Sequence, residues 1–380
     1  VLIGKVGDRS FATSDIKIRG PKFFRVDSVI KTAILVTLAG YLEKDEVLIK
    51  GEEYYSKKKL GTFFSYVLND RRAAPRKFDL KFSFQPTSKQ NFNNFLLKND
   101  YDCLVSFSGG IDSTAGLMYA LDRGLNVLPI WIGFGQKNEE QELKVVKKIC
   151  KLLKLHPAII KVDLKKYIEK GWSRWKTGII PARNYLFAST AAEILSHSAK
   201  DGGFVYLCAH KEEITLTNTD KSHKFFKTCS ELFSTAYCRK IQVTTPFYKI
   251  TKPEIISYWY RVWRKKYSIS PELTISCYFG NNCGNCKACV NRAVAFSCAG
   301  VPIKNFIANP FQDMKSIIDN GYINRFETLK LERKLDFLYA MQMNKDSLLG
   351  NFKKFLNVNY RKYKNRITER QRRILSAEVN

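Results

Sequence analysis

One stretch constrains the fold more than any other. The apolar run Cys103-Leu104-Val105-Ser106-Phe107 leads into Ser108-Gly109-Gly110-Ile111-Asp112-Ser113, and a helical pattern follows to about Arg123. A short buried strand, a glycine turn and a helix predict the start of a strand–helix–strand unit. Glycines let the backbone turn sharply and come close to a ligand. The unpaired amides at the helix start, at the positive end of the helix dipole, then attract a phosphate. Ser108 and Ser113 add hydroxyl donors. Asp112 is the odd member, because a carboxylate beside a polyphosphate is repulsive; it makes sense if it binds Mg²⁺ or orients the loop. The loop is not the Walker type, which needs Gly-x-x-x-x-Gly-Lys-Ser/Thr. Nor is it the dinucleotide fingerprint, which wants three glycines.

Strands and helices keep alternating beyond the loop. Residues 125–134, 159–162 and 204–208 read as strands, and 140–155, 184–196 and 252–263 as helices. In the helix over 140–155, Leu143, Val146, Ile149, Leu152 and Leu153 share one face. The pattern predicts an α/β domain over 99–305, a doubly wound parallel sheet with ligands outside the carboxyl ends of its strands. Residues 1–98 read as an N-terminal α+β extension, with a helix over 27–42, an alternating strand over 78–84 and nothing catalytic. Residues 306–380 read as a helical region with a basic end: Lys353, Lys354, Arg361, Lys362, Lys364, Arg366, Arg370, Arg372 and Arg373. Such a helix either grips a phosphate backbone or is a solvated face.

The formal net charge of +29 favours polyanionic partners or reflects a generally basic background. It is spread along the chain and locates no binding face. The apolar stretch 32–42 is shorter than the roughly 18–20 residues of a bilayer span, and no charged-then-apolar leader is visible. A cytoplasmic protein is expected. Of 10 cysteines, Cys277, Cys283, Cys286 and Cys289 crowd together, the last three spaced C-x2-C-x2-C. In a reducing compartment this reads as metal ligation. Four thiolates suit a tetrahedral Zn²⁺ with no open position for water, hence a structural site; Gly284 eases the turn. An iron–sulfur cluster or free thiols are the alternatives. Cys298 reads as a packed residue.

The string Ser-Gly-Gly-x-Asp-Ser resembles the PP-loop of ATP pyrophosphatases, which cradles the pyrophosphate leaving ATP. With the cysteine cluster, the chain over about 101–302 resembles the 7-cyano-7-deazaguanine synthase family. The matching pieces come in the family's order. After the loop come Phe134-Gly135-Gln136 with Glu139, Glu140 and Glu142, then Ile180-Pro181-Ala182-Arg183-Asn184. Pro246-Phe247 and Lys252-Pro253-Glu254-Ile255-Ile256 follow, and then Ser276-Cys277-Tyr278 with the knuckle and Arg292. The resemblance implies an adenine nucleotide alpha hydrolase-like fold and an ATP-dependent C–N ligase producing AMP and pyrophosphate. The carboxylate of 7-carboxy-7-deazaguanine would attack the α-phosphate, and an amine would displace AMP. The same resemblance implies that Ser106, Ser108, Gly109, Gly110, Asp112, Ser113 and Gln136 bind ATP and Mg²⁺. Asp112, Arg183 and Lys252 are the implied catalytic residues, with Arg183 and Lys252 neutralising the α-phosphate. A homodimer is implied as well.

The segment 208–223 departs from the family. His210 stands where an Asn is expected, and Asp220 corresponds to the family's Asp; both are assigned to the substrate. Enlarged relatives occur in antiphage operons, and this chain resembles them. That leaves a divergent defence ligase acting on a protein or nucleic-acid acceptor, ordinary nitrile synthesis for queuosine-type tRNA modification, a tRNA-thiolating enzyme, or a non-catalytic nucleotide- or nucleic-acid-binding module.

Overall fold

The computed structural model describes residues 100–165, 182–198, 200–214, 220–303, 305–312, 322–348 and 350–379. Nearer the N-terminus it describes 3–6, 9–12, 18–19, 29–30, 33–34, 37, 46–52 and 79–85, and residue 317 is described as well. Ile180, Pro181 and 215–219 lie outside the described residues, as does most of the helix expected over 27–42, of which 29, 30, 33, 34 and 37 are helical. The chain forms two compact units. One comprises residues 1–108, 119–139 and 155–248, the other 109–118, 140–154 and 249–380.

Among the described residues, the first unit holds two sheets. Strands β1 (Ile3–Val6), β2 (Arg9–Ala12), β4 (Glu46–Glu52) and β5 (Asp79–Gln85) form one, in the order β2-β1-β4-β5. The second contains β3 (Ile18–Arg19), β6 (Cys103–Ser106), β7 (Val127–Gly133), β8 (Ala158–Val162), β9 (Gly202–Tyr206) and β10 (Lys240–Thr244). Its order is β10-β9-β6-β7-β8-β3, parallel except for the antiparallel edge strand β3. Every residue of β7 is buried, as a strand covered on both faces requires. β10 was not among the expected strands, although Lys-Ile-Gln-Val-Thr alternates with period two and buries Ile241 and Val243. β3 shows that the N-terminal region is not wholly separate, since it extends the main sheet. Val29, Ile30, Ala33 and Ile34 also join the core beside Leu104 and Ile160.

The order sets the functional end of the sheet. From β6 the chain winds through β7 to β8, then returns to β9 on the other side of β6. The carboxyl ends of β6 and β9 therefore flank a topological switch point, where open α/β sheets bind ligands. Helices Arg183–Ser196 and His223–Tyr237 belong to the core of this sheet; Tyr185 stacks on Phe233 at 5.7 Å.

The second unit is helical in its C-terminal part. Helices Lys287–Cys298, Leu331–Met343 and Gly350–Leu375 share a core that includes Val290, Phe337, Leu338, Met341, Leu356 and Ile367. The helix expected over 252–263 is α-helical only over Lys252–Tyr258 and continues as a π turn, Trp259–Trp263. The wider turn carries both indoles inward. Trp259 and Trp263 are fully buried, and Trp259 Nε1 donates to Ile269 O at 2.7 Å. Among the described residues, no helix is long and apolar enough to cross a membrane.

Candidate active site

The glycine loop begins where β6 ends. Phe107 N still donates to Ile130 O at 2.7 Å, so the ladder holds one residue past Ser106. Gly109 then takes a φ of +70°, a left-handed conformation that other residues adopt at a cost. A Cβ there would also lie 2.9 Å from Val145 Cγ1. The helix Ile111–Asp122 starts on the Gly110 carbonyl, which accepts Thr114 N at 3.0 Å, Thr114 Oγ1 at 2.8 Å and Ser113 Oγ at 3.2 Å. Gly109 O accepts Ile275 N at 3.0 Å, which ties the loop to the segment leading into Cys277.

Asp112 and Lys252 meet directly. Lys252 Nζ lies 2.8 Å from Asp112 Oδ2, with both side chains about a quarter exposed. The other carboxylate oxygen, Oδ1, is buried and has no hydrogen-bond partner among the described residues. A buried, unsatisfied carboxylate oxygen is costly, and a hard oxygen donor of this kind fits Mg²⁺. Lys252 occupies the first position of its helix. The capping residue Thr251 donates from N and Oγ1 to Glu254 Oε2, both at 2.7 Å. Thr251-Lys252-Pro253-Glu254 is a legible capping-box signal with proline in the first turn.

The remaining expected residues lie in the first unit. Arg183 is exposed at the start of its helix, behind Ala182 in a left-handed conformation (φ 52°) and with no side-chain cap. A guanidinium there opposes the helix dipole until an anion arrives. Gln136 folds back on its own turn, Oε1 accepting Phe134 N at 2.7 Å, while Glu139 Oε2 accepts Gly135 N at 2.5 Å. His210 lies just past β9, on the β6–β9 switch point, where it forms a parallel bridge with Phe247. It is 5% exposed, with Nδ1 3.5 Å from Glu212 and Nε2 3.7 Å from Glu213. Glu213 reaches Lys221 at 2.6 Å, which ties the His210 turn to the turn carrying Asp220. The backbone carbonyl of Asp220 accepts Asn184 Nδ2 at 3.3 Å, so Asp220 is also tied to the residue next to Arg183.

The four cysteine sulfurs lie within 4.8 Å of one another. Zn–S bonds of about 2.3 Å in a tetrahedron put sulfurs close to 4 Å apart, so the donor set fits Zn²⁺ held by Cys277, Cys283, Cys286 and Cys289. Phe279 N and Cys283 N both donate to Cys277 Sγ, at 3.3 and 3.4 Å. Hydrogen bonds among the thiols push the Cys277 pKa down and those of Cys286 and Cys289 up. Gly284 sits at φ +88°, and a Cβ would lie 1.9 Å from Ala308 O, so only glycine fits the knuckle there. Val145 packs against both this cluster and Gly109.

Arg292, one piece of the family resemblance, is a brace in the structure. It is buried and donates to Thr274 Oγ1 at 2.7 Å, Pro271 O at 3.1 Å and Ser276 Oγ at 3.2 Å, holding the strap from which Ile275 reaches Gly109. Burial pulls its pKa down to about 10, against the opposing pull of Cys289 and Glu272. No local sequence signal marks that role, because its partners come from another segment.

Residues 102–300, just over half of the chain, match the family model described as "Queuosine biosynthesis protein QueC". Similar proteins include the 7-cyano-7-deazaguanine synthase of Methanocaldococcus jannaschii, 26% identical over 53% of this chain and 97% of that protein. The enzyme of that name from Nautilia profundicola is 28% identical over 52% of this chain and 94% of its own length. That from Picrophilus torridus is 29% identical over 52% and 87%. The glycine loop after β6 and the cysteine cluster both lie inside the matched span, and the chain belongs to the QueC family.

Proposed function

We propose that this protein uses ATP to activate the carboxylate of a 7-deazaguanine-type acid, releasing pyrophosphate, and passes the activated acyl group to an amine. The observation that carries the reading is the Asp112–Lys252 pair at 2.8 Å on the first turn after the Gly109–Gly110 loop. It supplies an ammonium for the phosphates and a carboxylate oxygen for Mg²⁺. Membership of the QueC family supports ATP-dependent 7-deazaguanine chemistry. In this reading Ser106, Ser108, Gly109, Gly110 and Ser113 bind the ATP phosphates, Gln136 contributes to nucleotide binding, and Asp112 holds Mg²⁺. Arg183 and Lys252 neutralise charge on the α-phosphate as the carboxylate attacks, while His210 and Asp220 recognise the acid. In this reading the catalytic domain is 99–305, with 1–98 and 306–380 as additions to it.

Those additions, and the departure at 208–223, favour a divergent ligase over plain nitrile synthesis. The acceptor would be an amine on a protein or nucleic acid, the setting antiphage defence and the assembly a homodimer. Its basic C-terminal helix suits a polyanionic acceptor. The test is pyrophosphate release from ATP and Mg²⁺, with and without 7-carboxy-7-deazaguanine. Stimulation by the acid is expected; its absence sinks the reading. Mass spectrometry of the products then separates a free nitrile from a mass-shifted macromolecule. Metal analysis giving iron in place of zinc would favour a thiolating enzyme.

A further inference from the structure

The basic end of the chain contains one arginine that is not on the surface. Arg370, on the helix Gly350–Leu375, is 4% exposed. Its Nε and Nη2 clamp Asp336 at 2.9 and 3.1 Å. Nη1 donates to Glu254 Oε1 at 2.7 Å, and Nη2 donates to Thr251 Oγ1 at 2.7 Å. Arg373 adds a contact to Glu254 Oε1 at 3.0 Å. Thr251 and Glu254 are the capping box of the helix that carries Lys252. We propose that Arg370, fixed by Asp336, is a positioning residue for Lys252 and through it for the Asp112 pair.

The physical case rests on charge. Glu254 is a buried carboxylate two residues from Lys252, at a helix start where the dipole disfavours a cation. With Arg370 in place, Glu254 Oε1 is taken by two guanidinium groups and Oε2 by Thr251. The Lys252 ammonium then pairs with Asp112. Without Arg370, the buried carboxylate keeps only Arg373 as a counter-charge, and its unbalanced charge loosens the capping box that seats Lys252. Burial works against charging Glu254, yet the Thr251 hydrogen bond and Arg370 hold its pKa below the usual value. Burial likewise opposes the charge on Arg370, and Asp336 and Glu254 outweigh it, raising its pKa. Asp336 and Arg370 both lie outside the span matched by the family model, 102–300, so the C-terminal addition supplies this clamp.

The inference rests on the proposed role of Lys252, and its test keeps the two apart. In the full-length protein, Arg370→Met should lower kcat for acid-stimulated pyrophosphate release by about 10- to 100-fold, with KM for ATP changed less than about threefold. Adding Glu254→Gln to Arg370→Met removes the stranded carboxylate and should recover most of that loss. Wild-type kcat in Arg370→Met, or no recovery in the double variant, overturns the proposal. Arg370→Lys keeps the charge without the fork and should fall between, which gives a reading if the methionine variant does not fold. If the wild-type protein releases no pyrophosphate, the functional reading fails, and the clamp is then read from Lys252 itself. After ¹³C reductive methylation, with the signal assigned by Lys252→Arg, Arg370→Met should raise the Lys252 titration midpoint and the double variant should restore it. An unchanged midpoint in Arg370→Met overturns the clamp.

Discussion

Two cations assigned to the same task, Lys252 and Arg183, both begin helices, and their surroundings differ in kind. Lys252 follows a complete capping box, pairs with Asp112 at 2.8 Å and sits beside a buried ion network. Arg183 is exposed, follows a left-handed alanine and has no side-chain cap behind it. A cation at a helix start is unfavourable in both places. At Lys252 the cost is offset within the protein by Asp112; Arg183 is exposed to solvent and has no such carboxylate partner among the described residues. Electrostatic catalysis depends on groups already in place when charge develops. If both act on ATP as proposed, the difference predicts that Lys252 serves the transition state and Arg183 captures the anion.

That contrast can be broken by substitution. The largest loss is expected for Asp112→Ala, about 10³-fold in acid-stimulated pyrophosphate release, since it removes both the carboxylate paired with Lys252 and the oxygen proposed to bind Mg²⁺. Next, Lys252→Met should cost about 10²-fold in kcat with little change in KM for ATP. Arg183→Met should act mainly on KM, by about tenfold, and more weakly as salt is added. If it costs as much kcat as Lys252→Met, the distinction between the two helix starts is wrong. If the cluster holds zinc, Cys289→Ser should release it and lower the thermal midpoint by about 10 °C, with loop function lost through the Ile275–Gly109 contact.

The smallest effect is in acid. The Glu254 pKa is held below its usual value of 4.5 in the folded state. Its stabilisation is therefore present in full above that value and is lost as pH falls through the lowered folded pKa. Urea unfolding of wild type and Glu254→Gln should differ at pH 7, and the gap should close as pH drops below about 4.5. A gap that widens toward acid would contradict the ion network.

Much of this molecule could be read along the chain. β6, the glycine loop and the helix after it are contiguous, so strand pattern, turn chemistry and helix start appear in consecutive residues. The helix expected over 140–155 emerges as Glu139–Leu152, because a one-sided apolar face is itself a local pattern. The four cysteines were legible for the same reason. β10 escapes a reading of the sequence, although it alternates, because its two buried residues are few against the helix signals around it.

The sequence by itself determined the order of elements, the phosphate-type loop and the thiol cluster, because each depends on residues within one or two turns of each other. Only the tertiary structure decided that β9 returns beside β6 and opens a switch point at His210. It also brought Lys252 to Asp112, and turned Arg370, 116 residues beyond Glu254, from one more surface charge into a buried clamp. A basic residue reads the same in sequence whether it faces water or a carboxylate. Which it faces depends on long-range packing, where a buried charge persists only when its partners arrive with it.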